Sequence, residues 1–368
     1  MLGNRPHSGA VFFGSFVIQA LKIYKNHDLS RYNTFGLGVR STYFLEVEQE
    51  DELPRAIETA EELTQGTFMF LGGGSNVLFC GDYKGAVIRL AFGGLEYHET
   101  GRNQVLVEAG AGVSWHDLVT YTTQKGWWGL ENLALIPGSV GAAPIQNIGA
   151  YGVEQGDCFD SLSGLPLNGP PISYSKETCA FGYRNSIFKQ ELKNNFVITR
   201  VRYLLSTQPR PRLEYQDLKL RFEKSMDQAS VHHPSSDEIA KAVADIRRSK
   251  LPDPALIGNA GSFFKNPILT KEQAESLKNL HPNMPLFAPK TENDTGIEFK
   301  TSAAWLIEQC GWKGHRRGAI GVSESHALVL VHYGGGKGED LWQLAQDIRS
   351  SVAMEFGIDL EPEVNPVL

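Results

Sequence analysis

Helical and extended patterns of apolar residues alternate along the chain. In residues 51–64 the apolar side chains recur every three or four positions and acidic residues lie at the start, which predicts a helix with one buried face. A short apolar run at residues 68–71 predicts a buried strand. The same patterns predict helices at residues 115–124, 238–248, 303–310 and 340–356, and strands at 105–109, 196–205 and 327–332. The polar stretch 225–236 predicts a flexible loop.

Length and composition limit the class of protein. A chain of 368 residues predicts two or three domains, and 41% hydrophobic with 21% charged residues is typical of a globular protein. The net charge of −7 excludes a global basic field, so we expect no nucleic-acid partner. The four cysteines form no CxxC motif, which argues against a metal site or a disulfide scaffold and favours a reducing compartment, the cytoplasm.

The N-terminal segment contains an apolar run that does not predict a membrane-spanning helix. Residues 10–23 are largely apolar, but they are too short and too interrupted to span a membrane, and they lack a clear cleavage site. We therefore expect residues 1–23 to be a non-native or poorly ordered extension. The first domain is expected to start near Tyr24, with no membrane association.

Two glycine-rich segments are candidates for ligand binding. Residues 72–76, Gly-Gly-Gly-Ser-Asn, follow a predicted strand and present backbone N–H groups in a way that suits phosphate oxygens, although a tight hairpin would also explain them. Residues 137–152 contain four glycines and two prolines, so they cannot form a regular element throughout, and their isoleucines argue against disorder. This composition favours binding of a large, partly apolar cofactor over a purely structural loop.

Three further segments leave two interpretations open. Residues 258–267 make a poor element interior, and Gly258 and Gly261 suit either a surface loop or a turn that approaches a ligand closely. Arg184 is either a buried, fork-shaped donor for a carboxylate or a guanidinium stacked on surface aromatic rings. Residues 360–364 are either a solvated tail or a strand that brings one carboxylate inward, and the local pattern favours the tail.

Six segments in order give the chain a close resemblance to one family. It resembles the MurB family, the UDP-N-acetylenolpyruvoylglucosamine reductases, from about residue 33 to residue 363. The matching segments are residues 72–76, 136–152, 181–184, 250–254, 261–267 and 360–363. Residues 213–218, with Tyr215, match the insertion of the type I branch, in which the tyrosine closes over the substrate.

The resemblance implies an α+β protein with an FAD-binding fold of the vanillyl-alcohol-oxidase type. Two α/β subdomains would bind FAD and a C-terminal α+β domain would bind the substrate. The implied boundaries are residues 24–90, completed by 355–368, for the first FAD subdomain, residues 91–246 for the second, which carries Tyr215, and residues 247–354 for the substrate domain.

The implied activity is reduction of UDP-N-acetylglucosamine enolpyruvate by NADPH through non-covalent FAD, by a monomer. Hydride passes from flavin N5 to C3, Ser262 protonates C2, and Arg184 and Glu363 stabilise the enolate-like state. Lys250 or Lys265 would stabilise the serine alkoxide. A hydrolase nucleophile is the weaker interpretation of Ser262, because its neighbours do not form GxSxG.

The resemblance also implies two sets of binding residues. Those assigned to FAD are Gly72, Gly73, Gly74, Ser75, Asn76, Pro137, Gly138, Ser139, Gly141, Ala142, Ile145, Gln146, Asn147, Ile148, Gly149, Tyr151, Arg184 and Arg247. Those assigned to the substrate are Tyr183, Tyr215, Lys250, Asn266 and Gln309, with Lys250 also available to the NADPH phosphate.

The chain departs from the family pattern at two positions. Gly73 stands where some relatives carry an acid, and Asn365 stands where an arginine is expected, so Arg316 or Arg317 would have to replace it. Two rival functions are a flavin oxidase of the same fold and a non-catalytic flavin-binding protein. The oxidases often bind flavin covalently through His or Cys, and neither residue occurs in the two glycine-rich segments.

Overall fold

The computed structural model describes residues 21–101, 103–226, 233–287 and 299–368. Its helices are α1 Leu53–Thr64, α2 Trp115–Gln124, α3 Gln216–Met226, α4 Ser236–Lys250, α5 Lys271–Leu280, α6 Ala303–Gln309 and α7 Gly338–Phe356. Its strands are β1 Lys22–Asp28, β2 Arg40–Val47, β3 Phe68–Leu71, β4 Val77–Phe79, β5 Tyr83–Leu90, β6 Leu95–Glu99, β7 Gln104–Gly110, β8 Gly149–Ala150, β9 Val153–Glu154, β10 Phe159–Pro166, β11 Ile172–Ser175, β12 Phe196–Ser206, β13 Gly258–Ser262, β14 Ile268–Leu269, β15 Leu286–Phe287, β16 Phe299–Thr301, β17 Arg316–Arg317, β18 Ile320–Val322, β19 Val329–His332 and β20 Asn365–Val367.

The first sheet has the order β1-β2-β5-β3, and α1 packs on it. Its last three strands are parallel, whereas β1 joins as an antiparallel edge. The helix buries Leu53, Ala56, Ile57 and Ala60 on one face and ends where Gln65 adopts a left-handed φ of 55°. Because β3 leads directly into residues 72–76, this sheet positions the first glycine-rich loop.

The second sheet is antiparallel throughout, with the order β11-β10-β12-β7-β6. Helices α2 and α4 pack against each other, and a separate core contains residues of β7, β10, β12 and these helices. Helix α4 starts at a reciprocal capping box between Ser235 and Glu238, in agreement with its pattern of an acidic start and a basic end. The second glycine-rich segment lies against this core through Val140 and Ala143.

The C-terminal part contains the sheet β13-β19-β18-β17, with α7 packed on it. Its core is continuous with N-terminal residues, because Leu29, Phe35 and Phe44 belong to the same buried cluster as Phe263 and Phe264. Strand β20 pairs in parallel with β4 and so ties the end of the chain to the strand that follows the first glycine-rich loop. The three subdomain boundaries stay a prediction.

The structure corrects four expectations. Strand β1 begins at Lys22, two residues before the expected domain start, while residues 1–20 of the predicted extension lie outside the described residues. Residues 216–226 form a helix, and α4 starts at Ser236, so the predicted flexible loop is wrong at both ends and its residues 227–232 are not described. Residues 258–262 are a strand, and the C-terminal segment is a bridge and a strand rather than a solvated tail.

Within the described ranges, no helix is long and apolar enough to cross a membrane. The cysteines Cys80, Cys158, Cys179 and Cys310 all carry free thiols.

Candidate active site

The two glycine-rich loops lie directly against each other. A Cβ atom on Gly72 would overlap the Ser139 hydroxyl, and one on Gly73 would stand 2.9 Å from the Gly138 Cα. The Ser75 hydroxyl donates to the carbonyl of Pro137 across 3.1 Å. Glycine is therefore required at both positions because the second loop leaves no space for a side chain, whether or not a ligand is bound.

The first loop has both a turn that requires glycine and unused donors. Gly74 has a φ of +65°, and a Cβ atom there would overlap the carbonyl oxygen of Tyr32. Among the described residues, none accepts a hydrogen bond from the backbone N–H groups of Gly73, Gly74, Ser75 or Asn76. Adjacent free N–H groups are the donors that a pyrophosphate takes, so this loop fits the pyrophosphate of FAD.

The second loop is anchored at its centre and presents side chains at its end. The N–H groups of Val140 and Gly141 donate to the carbonyls of Val113 and Ala111, at 2.8 and 3.0 Å. The buried side-chain amide of Asn147 accepts from the Gly156 N–H and donates to Glu154. Asn147 was predicted to bind the cofactor, but these hydrogen bonds within the protein already occupy its amide. Ile145 is 40% exposed and so remains available to a flat apolar ligand.

Glu363 lies at the centre of a polar network. Its Oε1 is 3.0 Å from Nε of Arg184 and accepts from Nε2 of Gln146 at 3.2 Å. The side-chain amide of Asn76 donates to Oε1 of Gln146 at 2.9 Å and to the Glu363 carbonyl at 3.2 Å. One residue from each glycine-rich loop, Asn76 and Gln146, therefore orients the predicted catalytic carboxylate.

Backbone hydrogen bonds bring the Ser262 segment to Glu363. The Glu363 N–H donates to the carbonyl of Phe263 at 2.8 Å, and the Lys265 N–H donates to the carbonyl of Glu361 at 2.9 Å. Ser262 is the last residue of β13, immediately before this contact. Residues that are about a hundred positions apart in sequence thus form one short antiparallel pair, which local patterns could not reveal.

Arg184 is the buried donor rather than a surface arginine. Its side chain is 18% exposed, its Nη2 donates to the Gly149 carbonyl at 2.5 Å, and its guanidinium carbon lies 5.3 Å from the centre of the Tyr183 ring. The residue has a φ of +52°, a conformation that costs a non-glycine residue about 1 kcal/mol or more. Such strain is typical of positions where the surrounding structure dictates the side-chain placement.

Three cationic side chains surround the carboxyl group of Glu363. Burial raises the pKa of Glu363, while Arg184, Lys189 and Lys265 act to lower it. Burial lowers the pKa of Lys189, and the nearby Lys265 adds to that effect. Lys189 was not predicted from the sequence as a site residue, although it lies five residues after Arg184 and its Nζ donates to the Arg184 carbonyl at 3.5 Å. Lys265 also forms an ion pair with Glu361.

A second group of predicted residues lies where α3 meets α4. The ring centres of Tyr151 and Tyr215 are 5.0 Å apart at a steep angle, and burial raises the pKa of Tyr151 to about 12. Nε of Arg247 donates to the Leu135 carbonyl at 3.2 Å, and burial lowers the pKa of Arg247. The predicted lid tyrosine therefore contacts a residue assigned to FAD.

The remaining substrate residues occupy the C-terminal side of the site. The side-chain oxygen of Asn266 accepts from the Ala303 N–H at 3.0 Å, at the start of α6. Nζ of Lys300 lies 3.4 Å from the centre of the Tyr183 ring. Gln309 is exposed at the far end of α6. Lys250 forms an ion pair with Asp217.

The structure does not support a replacement for the arginine expected at Asn365. Strand β17, which contains Arg316 and Arg317, is separated from β13 by two strands. Arg316 lies over the Tyr333 ring, and Arg317 pairs with Asp347 of α7. The amide of Asn365 instead donates to the carbonyl of Asn76, at 3.1 Å.

Comparison with known proteins gives the same picture. Residues 253–367 match the family model described as "UDP-N-acetylenolpyruvoylglucosamine reductase, C-terminal domain", and residues 41–167 match the one described as "FAD binding domain". The crystal structure of MurB from Thermus caldophilus is similar with a TM-score of 0.62 and 24% identity, covering 95% of this chain and 99% of that one. At this identity the likeness supports the fold.

Sequence relatives are more similar. The UDP-N-acetylenolpyruvoylglucosamine reductase of Chromobacterium violaceum is 43% identical, with 91% of this chain and 96% of the relative covered. That of Amoebophilus asiaticus is 44% identical, with 94% and 99% covered, and that of Pseudomonas aeruginosa is 41% identical, with 94% and 99% covered.

Fold and site together define an FAD-dependent oxidoreductase of the α+β class, which confirms the predicted fold and cofactor. The chain belongs to the UDP-N-acetylenolpyruvoylglucosamine reductase family.

Proposed function

We propose that the protein reduces UDP-N-acetylglucosamine enolpyruvate to UDP-N-acetylmuramate, a step of peptidoglycan precursor synthesis, with NADPH as the reductant. The observation that carries the proposal is the Arg184–Glu363 pair at 3.0 Å, placed beside the end of the Ser262 strand. A charge pair beside the strand that ends at a serine suits a reaction that creates a carbanion-like centre and then protonates it. The names of the relatives point to the same reaction.

FAD would be held without a covalent bond between the two glycine-rich loops. Free N–H groups of residues 73–76 would be available to its pyrophosphate, Ile145 and Tyr151 would offer apolar surface, and the partly buried Arg247 would offer a cation. When bound, FAD supplies hydride chemistry between NADPH and C3 of the enolpyruvyl group. The remaining FAD residues named from the sequence lie in or beside the same loops.

The chain's own residues must then stabilise the negative charge that forms on the substrate and supply a proton to C2. Reduction at C3 leaves negative charge at C2 and on the substrate carboxylate. Arg184 stabilises that charge through its planar fork, and the bond from Gln146 together with the Arg184 contact keeps Glu363 in place. Arg184, Lys189 and Lys265 oppose the effect of burial on the Glu363 pKa, and the same cations would act to stabilise negative charge on the substrate.

Ser262 donates the proton to C2 in this proposal. A serine hydroxyl is a weak acid, so its alkoxide needs a nearby cation. Lys265 is better supported for this role than Lys250, because its charge acts on Glu363. The UDP part would contact Tyr183, Tyr215, Lys250, Asn266 and Gln309.

An anaerobic two-step experiment tests the function. NADPH added to the yellow holoenzyme should bleach the flavin band, and UDP-N-acetylglucosamine enolpyruvate should then restore it without oxygen. Recovery that requires oxygen would favour the oxidase, and the absence of bleaching would favour a non-catalytic binding protein.

Ser262→Ala separates the two half-reactions. Flavin reduction should stay nearly unchanged, while reoxidation by the enolpyruvyl substrate should slow by about two or more orders of magnitude, because only the second half needs the proton. Stopped-flow absorbance measures both rates. Equal loss of both would mean that Ser262 has a structural role only.

We also propose that the enzyme works as a monomer in the cytoplasm. Its four free thiols suit a reducing compartment. Mass measurement in solution tests the oligomeric state, and fractionation tests the compartment.

A further inference from the structure

The ammonium group of Lys250 is already bound to a carboxylate of the predicted lid. Its Nζ lies 2.6 Å from Oδ2 of Asp217, and the two side chains are 44% and 31% exposed. Lys250 is the last residue of α4, whereas Asp217 lies in the first turn of α3. A partly solvated pair of this kind is held weakly and can be exchanged for another anion.

Asp217 and Tyr215 are tied to the same helical turn. The Lys219 N–H donates to the Tyr215 carbonyl at 2.9 Å, so Tyr215 stands at the start of α3. Leu218, next to Asp217, is fully buried in the second core and anchors this turn. The Asp217 carboxylate therefore lies on the same turn as Tyr215, whose ring centre is 5.0 Å from that of Tyr151.

Lys250 is fixed at its backbone and free at its tip. Its carbonyl accepts from the Ser325 hydroxyl at 3.1 Å, and the helix that it ends starts at a reciprocal cap and buries most of one face. The ammonium group can therefore change partner without movement of α4. A substrate phosphate that approaches it meets the Asp217 carboxylate on the same cation, and the two anions repel each other.

We propose that Asp217 is a positioning residue, an internal counter-ion that occupies Lys250 until the diphosphate of the substrate displaces it. The inference rests on the proposed function, which assigns Lys250 to the substrate. Displacement makes binding weaker than Lys250 alone would allow, and it removes one of the contacts that hold the turn next to Tyr215. An uncharged uridine analogue, which lacks the diphosphate, would leave the Asp217–Lys250 pair intact.

Titration of the oxidised holoenzyme with UDP-N-acetylglucosamine enolpyruvate, followed by flavin absorbance, tests the proposal. Asp217→Asn should lower the Kd about two- to fivefold, because an exposed ion pair of this kind no longer has to be broken. The matched control is Glu223→Gln, on the same helix, which removes the same charge from the Lys219–Glu223 pair and should leave the Kd within about 1.5-fold.

A double-mutant cycle identifies the partner. Lys250→Met keeps the length of the side chain but removes the ammonium group, and it should weaken binding. In the Lys250→Met background Asp217→Asn should have no effect, because its benefit depends on releasing that ammonium group. The proposal would be overturned if Asp217→Asn lowered the Kd equally in the wild type and in Lys250→Met, or if Glu223→Gln lowered it by the same factor. Either result would indicate a general charge effect.

Two further outcomes are distinct. Weaker binding by Asp217→Asn would mean that Asp217 holds Lys250 ready for the substrate, and it would overturn displacement while leaving the proposed function intact. A wild-type holoenzyme that binds no enolpyruvyl substrate would refute the proposed function itself.

Discussion

The glycine-rich loops and the Tyr215–Lys250 side of the site are held in opposite ways. The first loop is tightly packed at three glycines: a Cβ atom on Gly72 or Gly73 would crowd Ser139 or Gly138 of the second loop, and one on Gly74 would overlap the Tyr32 carbonyl. On the other side, Tyr215 is 45% exposed, and one ring contact and one partly solvated ion pair connect its helical turn to Tyr151 and Lys250.

This difference separates a preformed part of the site from an adjustable one. Interlocked backbone cannot move without breaking several contacts at once, which suits a cofactor that stays bound. An exposed ion pair contributes about 0.2–1 kcal/mol and an aromatic pair about 0.5–1.5 kcal/mol, so contacts of this size can open and close during turnover. Substitutions on the two sides should therefore differ in kind as well as size.

Gly74→Ala should have the largest effect. It forces a residue with a Cβ atom into a φ of +65° and directly onto the Tyr32 carbonyl. We expect a loss of about 3 kcal/mol or more in the free energy of unfolding, together with reduced flavin content. Thermal unfolding and the ratio of flavin to protein absorbance measure the two effects.

Gly36→Ala is the matched control. Gly36 has the same φ of +65°, but a Cβ atom there would have no neighbour within 4 Å. It should cost only about 1 kcal/mol, from backbone strain, and should leave the flavin content unchanged. Equal losses in both variants would mean that the close approach of Gly74 to the Tyr32 carbonyl contributes nothing.

Glu363→Gln examines the carboxyl that the loops hold. Because burial raises its pKa above the ordinary 4.5, the folded state binds its proton more tightly than the unfolded state. Between 4.5 and the raised folded pKa, stability therefore falls as pH rises, by at most about 1.4 kcal/mol per pH unit. Urea unfolding of the two holoenzymes measures this effect. Across that pH range the free energy of unfolding should fall more steeply with pH for the wild type than for Glu363→Gln. A slope of opposite sign would mean that the surrounding cations outweigh burial.

The fold was predictable where local patterns are strong. Helices α1, α2 and α7 have apolar residues at regular helical spacing, and their predicted and observed bounds agree within two residues. Strand β13 could not be predicted, because its glycines have poor strand propensity and the strand exists through pairing with β19. The final strand likewise depends on β4, nearly three hundred residues earlier, whereas its local pattern is that of a polar tail.

The site was predictable as a set of residues but not as a network. The resemblance named Asn76, Gln146, Arg184 and Glu363, although it assigned the first two to FAD alone. That both amides hold Glu363 depends on contacts between distant segments. Lys189 was missed for the same reason, since a lysine in a polar segment is usually solvated and only the fold buries it beside Arg184.

Tyr215→Ala should have the smallest of these effects, and it should fall on substrate binding alone. Loss of the ring contact with Tyr151 should raise the KM for the UDP-sugar about three- to tenfold, with stability and flavin content almost unchanged. Tyr97→Ala is the control, because Tyr97 is also about two-fifths exposed and its ring lies 5.0 Å from that of Trp127 in another part of the molecule. It should leave the KM unchanged. If Tyr215→Ala instead lowered flavin content as Gly74→Ala is expected to do, the two sides of the site would form one rigid unit and the Tyr215 turn could not act as a lid.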